Sequence, residues 1–182
     1  MKTDQISEIL QLDTLNLGCG RKHLPGSINL DVTASTAPDI IHDLNVRPWP
    51  FPQGHFREVH AYDVIEHVND VIGTMEEIHR ICRPDAIVRI TVPHFSCRNA
   101  YTDPTHRHLF SCASFDYFTN DAELNFYTEA RFRVVSNRIF FCPTLLNKVI
   151  WRLAARYPDA YEQRWAWIFP AWFISFELQV SK

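Results

Sequence analysis

A chain of 182 residues is the length of one domain, and long enough to bury about two-thirds of its unfolded surface. Its 46% hydrophobic and 21% charged residues fit a soluble globular protein, and a net charge of −3 argues against a nucleic-acid footprint. None of the five cysteines (Cys19, Cys82, Cys97, Cys112 and Cys142) is spaced as Cys-x-x-Cys, which argues against a zinc ribbon or a thioredoxin-like pair. The odd count, the lack of an apolar secretory core in "MKTDQISEIL" and the lack of a bilayer-length apolar run point to a cytoplasmic protein without a transmembrane segment.

In chain order, residues 14–18 are short, apolar and bounded by glycine, and read as a buried strand. "SINLD" (27–31) and "DIIHDL" (39–44) are two more short strands, and "NVRPWPFPQG" is a loop by its prolines. "FREVHAYDV" (56–64) is a fourth strand. The period then changes. Val68, Val71, Ile72, Met75, Ile78 and Cys82 recur at helical spacing, with Asn69 or Asp70 to cap the start and Pro84 beyond the end. "AIVRITVP" (86–93) is a fifth strand. Strand and helix in alternation predict an α/β fold, a Rossmann-like open sheet, mostly parallel, with helices on both faces. Residues 94–130 are expected to form a substrate-side loop region, polar and His-rich through about residue 112. "RFRVVSNRIFF" (131–141) is a strand, and "TLLNKVIWRLAARY" (144–157) an amphipathic helix within a helical insertion over 142–172. "WFISFELQVSK" closes the chain as a strand that can insert antiparallel beside its predecessor. With an N-terminal segment over 1–12, residues 1–182 are expected to make a single domain.

The first chemistry lies in "LNLGCGRKHLPGSINLD". Ligands of open α/β sheets sit beyond the carboxyl ends of the strands, where strand order reverses. Gly18 and Gly20 let a backbone approach a ligand closely, and Asp31 ends the next strand, where an acid can hold a ribose diol. A dinucleotide site wants a third glycine, a full helix and an acid about 20 residues on. Here His23 stands at the third glycine position, and Pro25-Gly26 interrupts the short link to Asp31, so at most about one helical turn fits. A pyrophosphate is held by such a helix N-terminus, which makes NAD and FAD poor candidates. A bare tight turn after a core strand is the alternative reading of the glycines alone.

Taken in order, "LNLGCG", "INLD", "HDLN", "AYDVIEHVND" and "EEIHRICRPDAIVRITVP" resemble the motif series of class I S-adenosylmethionine-dependent methyltransferases, over roughly residues 14–120. S-adenosylmethionine carries a ribose and an adenine but no pyrophosphate, so a glycine turn without a long helix suits it. The resemblance implies that Leu17, Gly18, Cys19 and Gly20 line the methionine part of the cofactor. It implies that Asp31 accepts from both ribose hydroxyls, and that Asp43 accepts from the adenine amino group with Leu44 against the ring. Tyr62 and Asp63 are then nearest the sulfonium, and His67 lies beside the cofactor or packs on the sheet edge as a helix-start histidine. The chain departs from the family pattern at three places. Asn16 stands where an acid is usual, and its amide oxygen can accept from the cofactor's ammonium. Lys22 stands where a glycine is usual. The Pro-Gly-Gly turn before the fifth strand reads Pro84-Asp85-Ala86, where Asp tolerates the left-handed conformation the turn needs.

Three readings compete for "VPHFSCRNAYTDPTHRHLF". Methyl transfer to a hydroxyl needs alignment, desolvation and a proton acceptor, and His94 or His106, with Asp103, can supply that base. His106, His108 and a nearby Asp could hold a metal, but the ligand set is incomplete and none is expected. Or "DPTH" is a turn, with Asp103 accepting backbone N–H groups and Pro104 fixing φ. The aromatic run of Trp151, Trp165, Trp167, Phe169, Trp172, Phe173 and Phe176 reads as core, with a homo-oligomer interface, a substrate wall or a membrane-surface patch as alternatives. The expected activity is S-adenosylmethionine-dependent methyl transfer to a small-molecule acceptor, at oxygen, with S-adenosylhomocysteine as product and no nucleic-acid partner. The alternatives are a non-catalytic cofactor-binding or assembly protein of the same fold and, behind it, a nicotinamide oxidoreductase.

Overall fold

The computed structural model describes residues 11–142 and 145–182, with backbone alone over 145–149. Residues 1–10 of the expected N-terminal segment and Thr144 of the expected helix lie outside the described residues. Among the described residues there are seven strands: β1 (Thr14–Leu17), β2 (Ile28–Asp31), β3 (Ile40–Ile41), β4 (Phe56–Tyr62), β5 (Cys82–Pro93), β6 (Arg131–Phe140) and β7 (Phe173–Ser181). They form one sheet in the order β3-β2-β1-β4-β5-β7-β6. The first five strands run parallel, and β7 lies antiparallel between β5 and β6. The Rossmann-like, mostly parallel sheet with an antiparallel last strand is the one the sequence leads to.

The register explains why one face is core. Leu15, Ile28, Val59, Val88 and Leu178 line up across five strands, and all are fully buried. One residue further along, the row reads Asn16, Asn29, His60, Arg89 and Glu177. Successive side chains of a strand point to opposite faces, so the second row covers the other side with polar groups. These groups satisfy one another. Arg89 pairs with Glu58 and Glu177, and His60 sits between Glu58 (3.1 Å) and the Tyr62 hydroxyl (2.7 Å).

Helix α1 (Val71–Ile81) lies on the apolar face and buries Met75, Ile78 and Ile81. Asp70 caps it by accepting from the Gly73 N–H at 3.0 Å, one of the first-turn donors a helix leaves free. Glu77 anchors the preceding loop, accepting from the Trp49 N–H and from Arg80 at 2.8 Å each. A single turn, α2 (Asn99–Thr102), follows β5. Helices α3 (Leu145–Arg156) and α4 (Pro158–Arg164) pack by Ala154 and Tyr161 against Ile139, whose partner Ile174 belongs to the same apolar face.

Two local expectations resolve differently. The register between β4 and β5 jumps from Phe56↔Cys82 to Glu58↔Ile87, and Asp85 in the extruded turn takes φ +62°, the left-handed position expected for it. The aromatic run is core only in part. Phe176 packs edge-on to Phe115 at 4.7 Å, but Trp151, Trp165, Trp167 and Trp172 are exposed, which corrects the expectation of a uniform aromatic core. Among the described residues no helix is long and apolar enough to cross a membrane.

Candidate cofactor cleft and its histidine cluster

A cleft of about 410 Å³ opens at the carboxyl ends of β1, β2 and β4. That is within the usual size of a small-molecule site. Gly18, Leu30, Asp31 and Val32 form one wall, and His42, Asp43, Leu44 and Asn45 a second; Asp63, Val64, His67 and Val68 form the third. A larger depression of about 980 Å³, between residues 113–124 and the start of β6, lies at the opposite end of the sheet, away from the glycine turn.

The glycine turn has no helix behind it. The Cys19 N–H donates to the Leu30 carbonyl at 3.0 Å, and the Lys22 N–H turns back onto the Cys19 carbonyl at 2.8 Å. Gly18 (φ +56°) and Gly20 (φ +50°) take the left-handed conformation that a side chain disfavours, and a Cβ on Gly18 would run into Val64. Residues 21–27, where a helix would usually lie, are held by amides instead. The Asn16 side chain donates to the Lys22 carbonyl (3.1 Å) and to Asn29 Oδ1 (2.9 Å), which also accepts from the Leu24 N–H (2.8 Å). The Asn16 NH2 is therefore engaged in fastening the loop.

Asp31 closes the turn. Its Oδ2 accepts from the Gly20 N–H at 2.8 Å and its Oδ1 from the Thr33 N–H at 3.1 Å. A carboxylate oxygen has two lone pairs, so each keeps one for a ligand. Asp43 Oδ1 accepts from the backbone and side-chain N–H groups of Asn45 (2.9 Å each), and Asn45 Oδ1 accepts from the Asn69 N–H (2.7 Å), bridging two walls of the cleft. Leu44 is a buried apolar surface beside them. Gly18, Asp31, Asp43, Leu44, Asp63 and His67 thus line one cleft. Leu17 and Cys19 are buried under it, Gly20 reaches it through Asp31, and Tyr62 turns to His60 on the polar face. Val32, His42, Asn45, Val64 and Val68 also line it and carried no separate signal in the sequence.

The His-rich segment divides. His94 is fully buried and lies at the α4 side of β5. The Ser96 N–H donates to its Nδ1 (3.1 Å), which puts the ring proton on Nε2, where it is given to Glu162 Oε1 (3.1 Å). Both nitrogens are taken, so His94 has none to offer a substrate; this corrects its place among the candidate bases. The same Glu162 oxygen accepts from the Cys112 N–H at 2.7 Å. Burial opposes the Glu162 charge, but the hydrogen bonds from His94 and Cys112 outweigh it and hold the carboxyl below its ordinary range.

Residues 103–108 instead fold over the 3-10 turn Ile65–His67 at the cleft. The Arg107 N–H donates to the Glu66 carbonyl (2.8 Å), and His108 Nε2 donates to the Val68 carbonyl (2.8 Å). The Thr105 hydroxyl gives its one proton to Asp103 Oδ1 (2.7 Å), so it accepts from His67 Nδ1 (2.8 Å). Next to His67 lie His106, with ring centroids 4.7 Å apart, and the Glu66 side chain, which is 1% exposed. Among the described residues, the two Glu66 carboxyl oxygens are the buried side-chain polar atoms without a hydrogen-bond partner. Burial, helped by the charges of Asp63 and Asp103, pushes this carboxyl up to about 8. Burial and the neighbouring His106 lower the proton affinity of His67. Glu66 carried no sequence signal beyond an acid inside the apolar text "DVIEHV".

A seven-stranded sheet in this order, with a glycine turn and an acid at the carboxyl ends of β1 and β2, defines the class I methyltransferase fold. The profile of the methyltransferase-domain family matches residues 12–140, and the chain belongs to that family. Among solved structures, it is similar to a SAM-dependent methyltransferase from Archaeoglobus fulgidus (13% identity, TM-score 0.65, 97% of this chain and 91% of that one). It is similar to the phosphoethanolamine N-methyltransferase 2 of Haemonchus contortus in complex with S-adenosyl-L-methionine (11%, TM-score 0.55, 98% and 52%). A third is the Haloferax volcanii putative methyltransferase in complex with the Trm112 activator (16%, TM-score 0.58, 97% and 88%). At these identities the likenesses speak to the fold. Comparison with curated proteins finds none that matches.

Proposed function

We propose that the chain is an enzyme that moves a methyl group from S-adenosylmethionine to a hydroxyl of a small molecule, leaving S-adenosylhomocysteine. The observation that carries this reading is Asp31, which lines the cleft and fastens the glycine turn by one accepted hydrogen bond at each oxygen, so each has acceptor capacity left for a ligand. A ribose diol fits such a carboxylate. Asp43 and the buried Leu44 suit the adenine amino edge and ring. Gly18 and Asp63, which line the same cleft, suit the methionine end, with the backbone of Leu17, Cys19 and Gly20 beside it. With residues 21–27 forming no helix, a pyrophosphate has no helix N-terminus to bind, which favours a sulfonium nucleoside over a nicotinamide dinucleotide.

In the transfer, the acceptor oxygen forms a bond to the methyl carbon as the carbon–sulfur bond breaks and its electron pair returns to sulfur. The leaving thioether is neutral and needs no acid. The hydroxyl proton must leave, and that demand falls on the Glu66, His67 and His106 cluster at the edge of the cleft, with Asp103 positioning His67 through Thr105. In this reading residues 1–182 act as one domain, with 94–130 on the substrate side and 142–172 inserted before the last strand.

The test is S-adenosylhomocysteine release over a panel of hydroxyl, amine and thiol acceptors. Turnover confined to hydroxyl compounds supports the reading, with His106→Ala and His106→Gln both slowed at least about 100-fold. Full turnover in both variants removes His106. Tight S-adenosylhomocysteine binding with no turnover on any acceptor favours a non-catalytic binding protein.

A further inference from the structure

We propose that Glu66, His67 and His106 hold a divalent first-row transition-metal ion, whose open position receives the acceptor hydroxyl. One ligand atom from each of the three lies within 4.8 Å of the others. Ligands on a metal at about 2.0–2.2 Å stand roughly 3.4 Å apart, so closing the triangle takes about 1 Å of movement of the ligand atoms.

Four observations converge on this site. The Glu66 carboxylate is 1% exposed and both its oxygens lack a partner, a condition that buried polar groups rarely keep. Both imidazoles have their Nδ1 proton committed outward. His67 donates to the Thr105 hydroxyl, itself oriented by Asp103, and His106 Nδ1 donates to the Ala100 carbonyl at 3.3 Å. That leaves each Nε2 with its lone pair, and His106 Nε2 lies 4.0 Å from Glu66 Oε1. Metal-binding histidines are held in this way by second partners that fix the tautomer. Finally, Asp63 and Asp103 add negative charge around the three, which favours a cation.

Two imidazoles and one carboxylate suit Zn²⁺, Fe²⁺, Co²⁺ or Mn²⁺ better than Ca²⁺ or Mg²⁺, which prefer all-oxygen sets. Three protein ligands leave at least one position open, the arrangement of catalytic sites. His67 also lines the cofactor cleft, so a hydroxyl bound there stands beside the methyl donor. Coordination would lower the hydroxyl's proton affinity and release its proton to solvent, leaving the oxygen as nucleophile. This use of the site rests on the methyltransferase reading; the metal binding does not.

The experiment titrates chelator-treated full chain with Zn²⁺, Mn²⁺ and Co²⁺ by calorimetry, with the Co²⁺ visible absorption as a second readout and S-adenosylhomocysteine affinity measured in parallel. The expected result is one ion per chain for at least one of the three metals. Glu66→Gln and His106→Ala should each weaken it at least about 100-fold, while the surface variant His23→Ala leaves it unchanged. Near-normal melting temperatures and S-adenosylhomocysteine affinity in the two variants show that the fold and cleft persist. No stoichiometric binding by the wild type, or binding that survives both substitutions, overturns the proposal. Loss of S-adenosylhomocysteine binding in the wild type with metal binding intact would instead sink the methyltransferase reading alone.

Discussion

Two of the carboxylate–histidine pairs among the described residues draw their histidines from the same short His-rich segment. Glu162 and His94 are closed: every polar atom of the contact has a partner, and the backbone of Ser96 and Cys112 completes it. Glu66 and His106 are open: they sit 4.0 Å apart, and the buried carboxylate has no donor. The first pair joins α4 to the end of β5 and serves the fold. The second borders, through His67, the cleft at the carboxyl ends of β1, β2 and β4. What separates the two histidines here is the accounting of their neighbours' hydrogen bonds, which residue type and spacing do not reveal.

The largest effect expected from this contrast is on stability. Glu162→Ala leaves the His94 Nε2–H and the Cys112 N–H buried without an acceptor, at a cost of about 3 kcal/mol. For a chain of this length that lowers the melting temperature by about 6–12 °C. Glu66→Gln, which keeps the shape and removes only an unpaired acid, should shift it by less than about 2 °C at pH 5, where the acid is still protonated in the fold. Thermal melts of the two variants side by side check the pair, and equal losses would erase the distinction.

The two acids should also give opposite pH dependences in metal-free protein. Glu162 is held below its ordinary range in the fold, so its contribution is present above the unfolded value near 4.5 and is lost as pH falls through the folded one. Glu66 is raised from 4.5 to about 8, so between those values the unfolded chain releases a proton that the fold retains. Stability from that group therefore declines as pH rises from about 5 to 8, by a few kcal/mol at most. Urea melts across this range should show wild type losing ground to Glu66→Gln as pH rises, and Glu162→Gln flattening the acid limb. The smallest effect is that of Thr105→Val. It removes an exposed hydroxyl that orients His67, and should leave melting unchanged while weakening Co²⁺ binding about 10-fold.

Much of the fold was legible because its signals are local. Short apolar runs gave β1, β2, β4 and β5, and helical periodicity with Asn69 or Asp70 to cap it gave α1. The left-handed Asp85 and the antiparallel β7 also followed from turn chemistry and element order. The cleft was legible at Gly18, Asp31, Asp43, Leu44, Asp63 and His67, since strand ends define it. Asn16 was not, because its role depends on Lys22 and Asn29, which it meets only across the turn. The exposed tryptophans misled, since apolar periodicity does not say which face finds a partner. Glu66 was hidden for the opposite reason: a buried acid in apolar text looks like a surface residue until its neighbours are known.

The central claim is that Asp31 presents a carboxylate to a ribose diol in the cleft. Calorimetric titration of S-adenosylhomocysteine into wild type, Asp31→Ala and Asp31→Asn tests it most directly. The account predicts one binding site per chain, weakened by about 1–3 kcal/mol in Asp31→Ala, with an intermediate loss in Asp31→Asn, which keeps an acceptor but not the charge. Unchanged affinity in a folded Asp31→Ala protein would contradict it.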